Sequence, residues 1–167
     1  PEQIYEVTAY CGSYLPAWRP QQDYQASYSA KSAMGGGVQF DLIHEMDYLN
    51  YLFGEPLALE KQHRRVSHLE IDSCDYAHYT ATYKTFSATV TLNYFRRDTK
   101  RTLEIVREND TLLLDFIKGN CINLMTGQTL LNIDKEGLSL SYLKQMKYFL
   151  SAAKSEELTM NSLEESL

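Results

Sequence analysis

Between residues 57 and 133 the hydrophobic pattern runs with a period of two, and this constrains the fold more than any other feature. Ala88, Val90, Leu92 and Tyr94 alternate with Thr89, Thr91 and Asn93. Successive side chains on a strand point to opposite faces, so this segment has one buried face and one more polar face. The same reasoning predicts strands over residues 57–66, 74–84, 86–95, 102–107, 111–117, 121–125 and 129–133. Asn109-Asp110, Lys118-Gly119-Asn120 and Thr126-Gly127 supply turn residues between the later ones. Short strands joined by tight turns imply mostly antiparallel pairing. The run Arg96-Arg97-Asp98-Thr99-Lys100-Arg101 reads as a basic hairpin turn. Its cations would hold a phosphate or simply be solvated, and the solvated turn is the favoured reading.

One helix is sharply punctuated. Gly35-Gly36-Gly37 opens it, Gly54 closes it and Pro56 follows, which predicts a helix over about residues 37–53. Leu42, Met46, Leu49 and Phe53 fall on one arc, the face expected to pack on the sheet. Asp41, His44 and Tyr48 share a neighbouring arc, with Glu45 at its edge. Imidazole titrates near neutral pH, and a nearby carboxylate orients it, so Asp41 and His44 are the candidate proton-transfer pair. Gly36 and Gly37 would let backbone approach a ligand closely. The plain alternative is an exposed helical face behind a sharp glycine turn.

Elsewhere, Ile4–Tyr14 reads as a strand, residues 15–20 as a loop broken by Pro16 and Pro20, and residues 23–32 as a short helix capped by Asp23. Leu140, Leu143, Met146 and Leu150 predict a helix over residues 139–154, and residues 159–167 begin another that stops before it can bury a face. The natural chain is therefore expected to continue. The order of elements predicts one α+β domain over residues 1–167: an open, mostly antiparallel (mixed) sheet with helices on one face. The other face, rich in Tyr and Thr, is expected to be solvated or to pair with another copy.

Composition removes several function classes. A net charge of −6 argues against a general nucleic-acid or anionic-membrane surface, and no apolar run is long enough to span a bilayer. Cys11, Cys74 and Cys121 are scattered and odd in number, which suits reduced thiols and, with no leader pattern at the start, a cytoplasmic setting. No Gly-x-Gly-x-x-Gly or Gly-x-x-x-x-Gly-Lys-Ser/Thr occurs, so no nucleotide-binding loop is evident. His63, His68 and Asp72 lack metal-site spacing, and no metal is expected.

Gly35-Gly36-Gly37 followed by Asp41, His44, Asp47 and Leu52-Phe53-Gly54 resembles the C-terminal domain of the glucose–fructose oxidoreductase, inositol dehydrogenase and MocA family. Gly12-Ser13-Tyr14-Leu15-Pro16, Trp18-Arg19-Pro20, Asp23-Tyr24 and Tyr28-Ser29-Ala30 are similar to a subset from bacterial surface-sugar biosynthesis. The resemblance implies a separate Rossmann domain that binds NAD or NADP and supplies a lysine. This chain would be the substrate half, assembled as a homodimer or homotetramer through the sheet face. It implies a sugar or nucleotide-sugar substrate. It also implies that His44 is the acid/base at the oxidised hydroxyl and that Asp41 assists it. The spacing from Asp41 to His44 is three residues where the family has four, which leaves open a non-catalytic sugar-binding or oligomerisation domain that has kept the fold.

Three further candidates stay open. Trp18 and Arg19 would line the substrate site, the indole stacking on a sugar and the guanidinium gripping an anion, or Trp18 would only anchor its loop. Tyr48 is a candidate substrate contact through its hydroxyl. Asp47 reads as a brace.

Overall fold

The period-two segments form an eight-stranded sheet. The computed structural model describes residues 2–133 and 135–155. In chain order the strands are β1 (Ile4–Tyr14), β2 (Ala58–Arg64), β3 (Tyr76–Thr82), β4 (Ser87–Asn93), β5 (Phe95–Arg107), β6 (Thr111–Asp115), β7 (Asn120–Asn123) and β8 (Thr129–Asn132). Their order across the sheet is β2-β3-β4-β1-β5-β6-β7-β8. β1 runs parallel to β4, while the pairs β1–β5, β2–β3, β3–β4, β5–β6 and β6–β7 are antiparallel. The sheet is therefore mixed and open, as its sequence predicts.

The chain divides into two compact units, Pro1–Leu131 and Asn132–Leu167. In the second, the described element is helix α3 (Lys135–Ser155), which contains the predicted residues 139–154. The further helix expected over residues 159–167 lies outside the described residues. No helix among the described residues is long and apolar enough to cross a membrane.

In the first unit the alternation decides the faces. Val7, Ala9, Val90, Leu92 and Leu103 are fully buried, and Cys11, Ala77, Tyr79 and Ala81 join the same core. The predicted helical arc packs there too: Leu42 and Leu49 are buried, with Met46 and Phe53 against them. On the opposite face Tyr10, Tyr76, His78 and Thr91 are only partly covered.

Three expectations are corrected. The helix expected over residues 37–53 is two helices, α1 (Val38–Asp41) and α2 (His44–Phe53). Between them Leu42 leaves helical geometry (φ −112°, ψ 23°) and three-residue bonds close the turn: Ile43 N–H to Phe40 O, Glu45 N–H to Leu42 O and Met46 N–H to Ile43 O. The segment expected to be one short helix over residues 23–32 is a series of 3-10 turns, although Asp23 does cap the first by accepting from the Gln25 N–H.

The third correction concerns the basic run. Arg96 to Arg101 belongs to β5, not to a hairpin turn. β1 lies between β4 and β5, so the chain reverses around the end of β1, where Tyr14 pairs with Phe95 and the Leu15 N–H reaches Tyr94 O. The cations are supported by β1 tyrosines: the Arg96 guanidinium stands 5.1 Å and the Lys100 ammonium 5.2 Å from the Tyr10 ring, and Arg97 is 4.2 Å from the Tyr14 ring.

Candidate active site

Gly35, Gly36 and Gly37 shape the entry to α1 in different ways. Gly35 sits in the left-handed region (φ 77°) and ends a 3-10 turn. Gly36 is required by backbone packing: a Cβ there would stand 2.1 Å from Tyr28 O and 2.7 Å from both Ser29 O and Lys31 O. Gly37 takes φ 130°, with the Gln39 side chain over the space a Cβ would need. The close approach is thus to the chain's own backbone. The Gly35 N–H donates to Ser32 O, Gly36 N–H to Lys31 O and Val38 N–H to Cys74 O, so these amides are already engaged.

The break after α1 separates the two residues expected to act as a pair. Asp41 Oδ2 accepts from the Tyr94 hydroxyl at 2.6 Å. Tyr94 is fully buried, and burial followed by its bond to Asp41 pushes its ionisation upward, so it remains a phenol donor. His44 meets a different carboxylate: its Nε2 lies 3.1 Å from Glu45 Oε1. The same oxygen accepts from Arg101 Nε at 2.7 Å. Glu45 is fully buried, while the side chain of His44 is 46% exposed and so can reach a bound molecule.

The sheet register builds the floor of this cluster. Cys11 pairs with Arg101 across the β1–β5 seam, which sets thiol and guanidinium side by side. Burial, reinforced by Glu45 and opposed by Arg101, pushes the Cys11 thiol up to about 12. Arg101 also stacks 4.9 Å from the Phe116 ring, against which Tyr48 packs at 5.5 Å. The Tyr48 hydroxyl is buried beside Glu45, and burial and then the charge of Glu45 push its ionisation upward.

Trp18 is tied into its surroundings. Its indole N–H donates to Ser13 Oγ at 2.8 Å and its ring meets Tyr94 edge-on at 5.4 Å. Arg19 is exposed, 5.7 Å from the Tyr28 ring. The two residues border a small crevice with Leu15, Tyr24 and Ser27. Asp47 is exposed. An open groove of about 580 Å³ along Lys31, Arg65, His68, Glu70 and Asp72 contains none of the nominated residues. His44 and Tyr48 thus stand beside Glu45, while Asp41 bonds Tyr94 and Trp18 packs on that same tyrosine.

Sequence reasoning placed Glu45 at the edge of the site and Arg101 in a solvated turn, yet both signals were present. Glu45 lies about 40° from Leu49, at the border of the packing arc. Arg101 is in phase with Leu103 and Ile105. An acid bordering one apolar stripe and a base in another predict a buried ion pair.

A mixed open sheet, covered on one face by a glycine-entered helix that carries an exposed histidine, defines a class of α+β domain. The signature of the GFO/IDH/MocA C-terminal domain matches residues 3–113, and the chain belongs to that family. No curated protein matches the chain by sequence. Among solved structures it is similar to an oxidoreductase from Agrobacterium radiobacter in complex with NAD+, L-tartaric acid and magnesium. The TM-score is 0.71 at 15% identity, over 98% of this chain and 50% of that one. It is also similar to the UDP-N-acetylglucosamine 3-dehydrogenase of Acidithiobacillus ferrooxidans, with TM-score 0.64 at 15% identity over 95% and 47% of the two chains. The WlbA dehydrogenase of Bordetella pertussis, in complex with NADH and UDP-GlcNAcA, gives a TM-score of 0.54 at 14% identity over 68% and 34%. The chain thus spans about half or less of the length of these structures.

Proposed function

We propose that this chain is the substrate-binding, proton-transferring half of an NAD(P)-dependent oxidoreductase acting on a sugar or nucleotide sugar. The observation that carries the reading is His44. In a chain of this family, a half-exposed imidazole is held at the start of α2 against a buried carboxylate. Oxidation of a carbinol needs a base at its hydroxyl, and a neutral imidazole fills that role. Similar structures named as UDP-sugar enzymes support the substrate class.

The chain's own residues do not fit a dinucleotide. At the glycine entry, the Gly35, Gly36 and Val38 amides that would cradle a phosphate are taken by the Ser32, Lys31 and Cys74 carbonyls. The nicotinamide cofactor, which would accept the hydride, is accordingly assigned to a part of the protein outside this chain. The setting proposed is a cytoplasmic homodimer or homotetramer joined through the sheet face.

The second reading, a binding or assembly domain without chemistry, draws on the engagement of Asp41 by Tyr94 rather than by His44. The full-length protein separates the two. His44→Asn is expected to lower kcat for sugar oxidation by about 10²–10⁴-fold, the usual worth of a general base, with cofactor affinity unchanged. Near-full turnover in that variant would remove the assigned role.

A further inference from the structure

We propose that Glu45, not Asp41, is the carboxylate that positions His44, with Arg101 fixing Glu45 for the task. The proposal rests on His44 being the base, and deepens that reading.

Three observations support it. First, Glu45 is the carboxylate in contact with the ring, 3.1 Å from Nε2 to Oε1, whereas Asp41 is occupied by Tyr94 at 2.6 Å. Second, Glu45 is tied into the core. It is fully buried, Arg101 Nε holds the same oxygen at 2.7 Å, and Arg101 is itself set by its β5 register opposite Cys11 and by the Phe116 ring. A rigid partner is what orients a catalytic ring; a solvated one would not. Third, two of the other groups facing Glu45, a thiol and a phenol, stay uncharged near neutral pH. From β5 comes the guanidinium of Arg101. From β1 comes Cys11, a thiol that burial keeps protonated. From α2 comes Tyr48, which burial and then the charge of Glu45 hold as a phenol.

Among these neighbours His44 is the one whose charge changes in the course of proton transfer. When the ring takes a proton, the positive charge forms beside a carboxylate already in place. His44 and Arg101 both meet Glu45 Oε1, and Oε2 is buried beside them. Glu45 is thus a positioning residue, acting through His44.

The test begins on this chain. The motion of the His44 ring is measured by 13C relaxation, and its tautomer by imidazole 15N shifts, in the unsubstituted chain, Glu45→Gln and Asp41→Asn. The ring is expected to be ordered in the unsubstituted chain. Glu45→Gln should drop its order parameter from about 0.8 to below about 0.6 and mix the tautomers, while Asp41→Asn leaves both unchanged. Should Glu45→Gln fail to fold, the double variant Glu45→Gln/Arg101→Met removes the stranded cation and is read in the same way. A ring that stays ordered without Glu45, or loosens in folded Asp41→Asn, overturns the proposal.

In the full-length enzyme Glu45→Gln should lower kcat at least about 10-fold with KM for the sugar within about twofold, since the residue does not touch substrate. An unchanged kcat would also overturn it. Failure of His44 as base shows separately, as full turnover in His44→Asn with the ring result intact.

Discussion

Gly36→Ala against Gly35→Ala gives a sharp test of how the entry to α1 is built. At Gly36 the new methyl would lie 2.1 Å from Tyr28 O and 2.7 Å from two further carbonyls, all of them backbone atoms that no rotamer change can remove. Relief requires the segment to retreat by about an ångström, which breaks the 2.9 Å bond from Gly36 N–H to Lys31 O. Overpacking costs about 1–3 kcal/mol and the lost bond about 1 kcal/mol. Reduced freedom of the unfolded chain returns about 0.4–1 kcal/mol. The net loss is about 2–3 kcal/mol. At Gly35 nothing lies within 4 Å of a Cβ, and the cost is that of φ 77° alone. That is about 1–2 kcal/mol before the same unfolded-state gain, so about 1 kcal/mol or less remains. Urea unfolding followed by far-UV circular dichroism reads the difference. With a slope of about 2 kcal/mol/M, Gly36→Ala should lower the midpoint by about 1–1.5 M and Gly35→Ala by about 0.5 M or less. If the two variants shift equally, or Gly35→Ala shifts more, the packing argument is wrong.

Arg101→Met strands the buried carboxylate of Glu45 and should cost about 3 kcal/mol, the low end for a broken buried pair because the guanidinium is itself about one-third exposed. The thermal midpoint should fall by about 10 °C, and a shift under about 2 °C would show that Glu45 does not depend on Arg101. Burial raises the Cys11 thiol from 9.0 to about 12, so the folded state disfavours the thiolate. Its contribution to stability is complete below about pH 9 and is lost as pH rises toward 12. Urea midpoints should therefore fall less steeply between about pH 9 and 11 in Cys11→Ala than in the unsubstituted chain; identical slopes would contradict this. The half-covered Tyr and Thr face of β1, β3 and β4 should draw two copies together, read as a dimer or larger by light scattering, and a monomer in concentrated solution would count against it.

The amino-acid sequence by itself determined most of the strands and, in β4, the face that is buried. Alternation is a local property, and Ala88, Val90 and Leu92 had to point one way whatever lay beside them. The packing arc of α2 was equally legible, because helical period depends only on neighbours along the chain. The family too was legible, in the glycine, Asp41 and His44 pattern that the match over residues 3–113 supports. Only the tertiary structure decided the partners. Charge runs carry no information about which strand lies adjacent, so Arg96 to Arg101 read as a turn until β1, inserted between β4 and β5, supplied tyrosines beneath them. The choice of carboxylate for His44 was equally out of reach. An ideal helix keeps 100° per residue, whereas the tightened turn at Leu42 and Ile43 breaks that count between Asp41 and α2. Residues more than 50 positions away supply the contacts seen: Tyr94 bonds Asp41, and Arg101 bonds Glu45 beside the histidine. Pairings of that kind depend on which groups folding brings into contact, and no spacing along one helix encodes them.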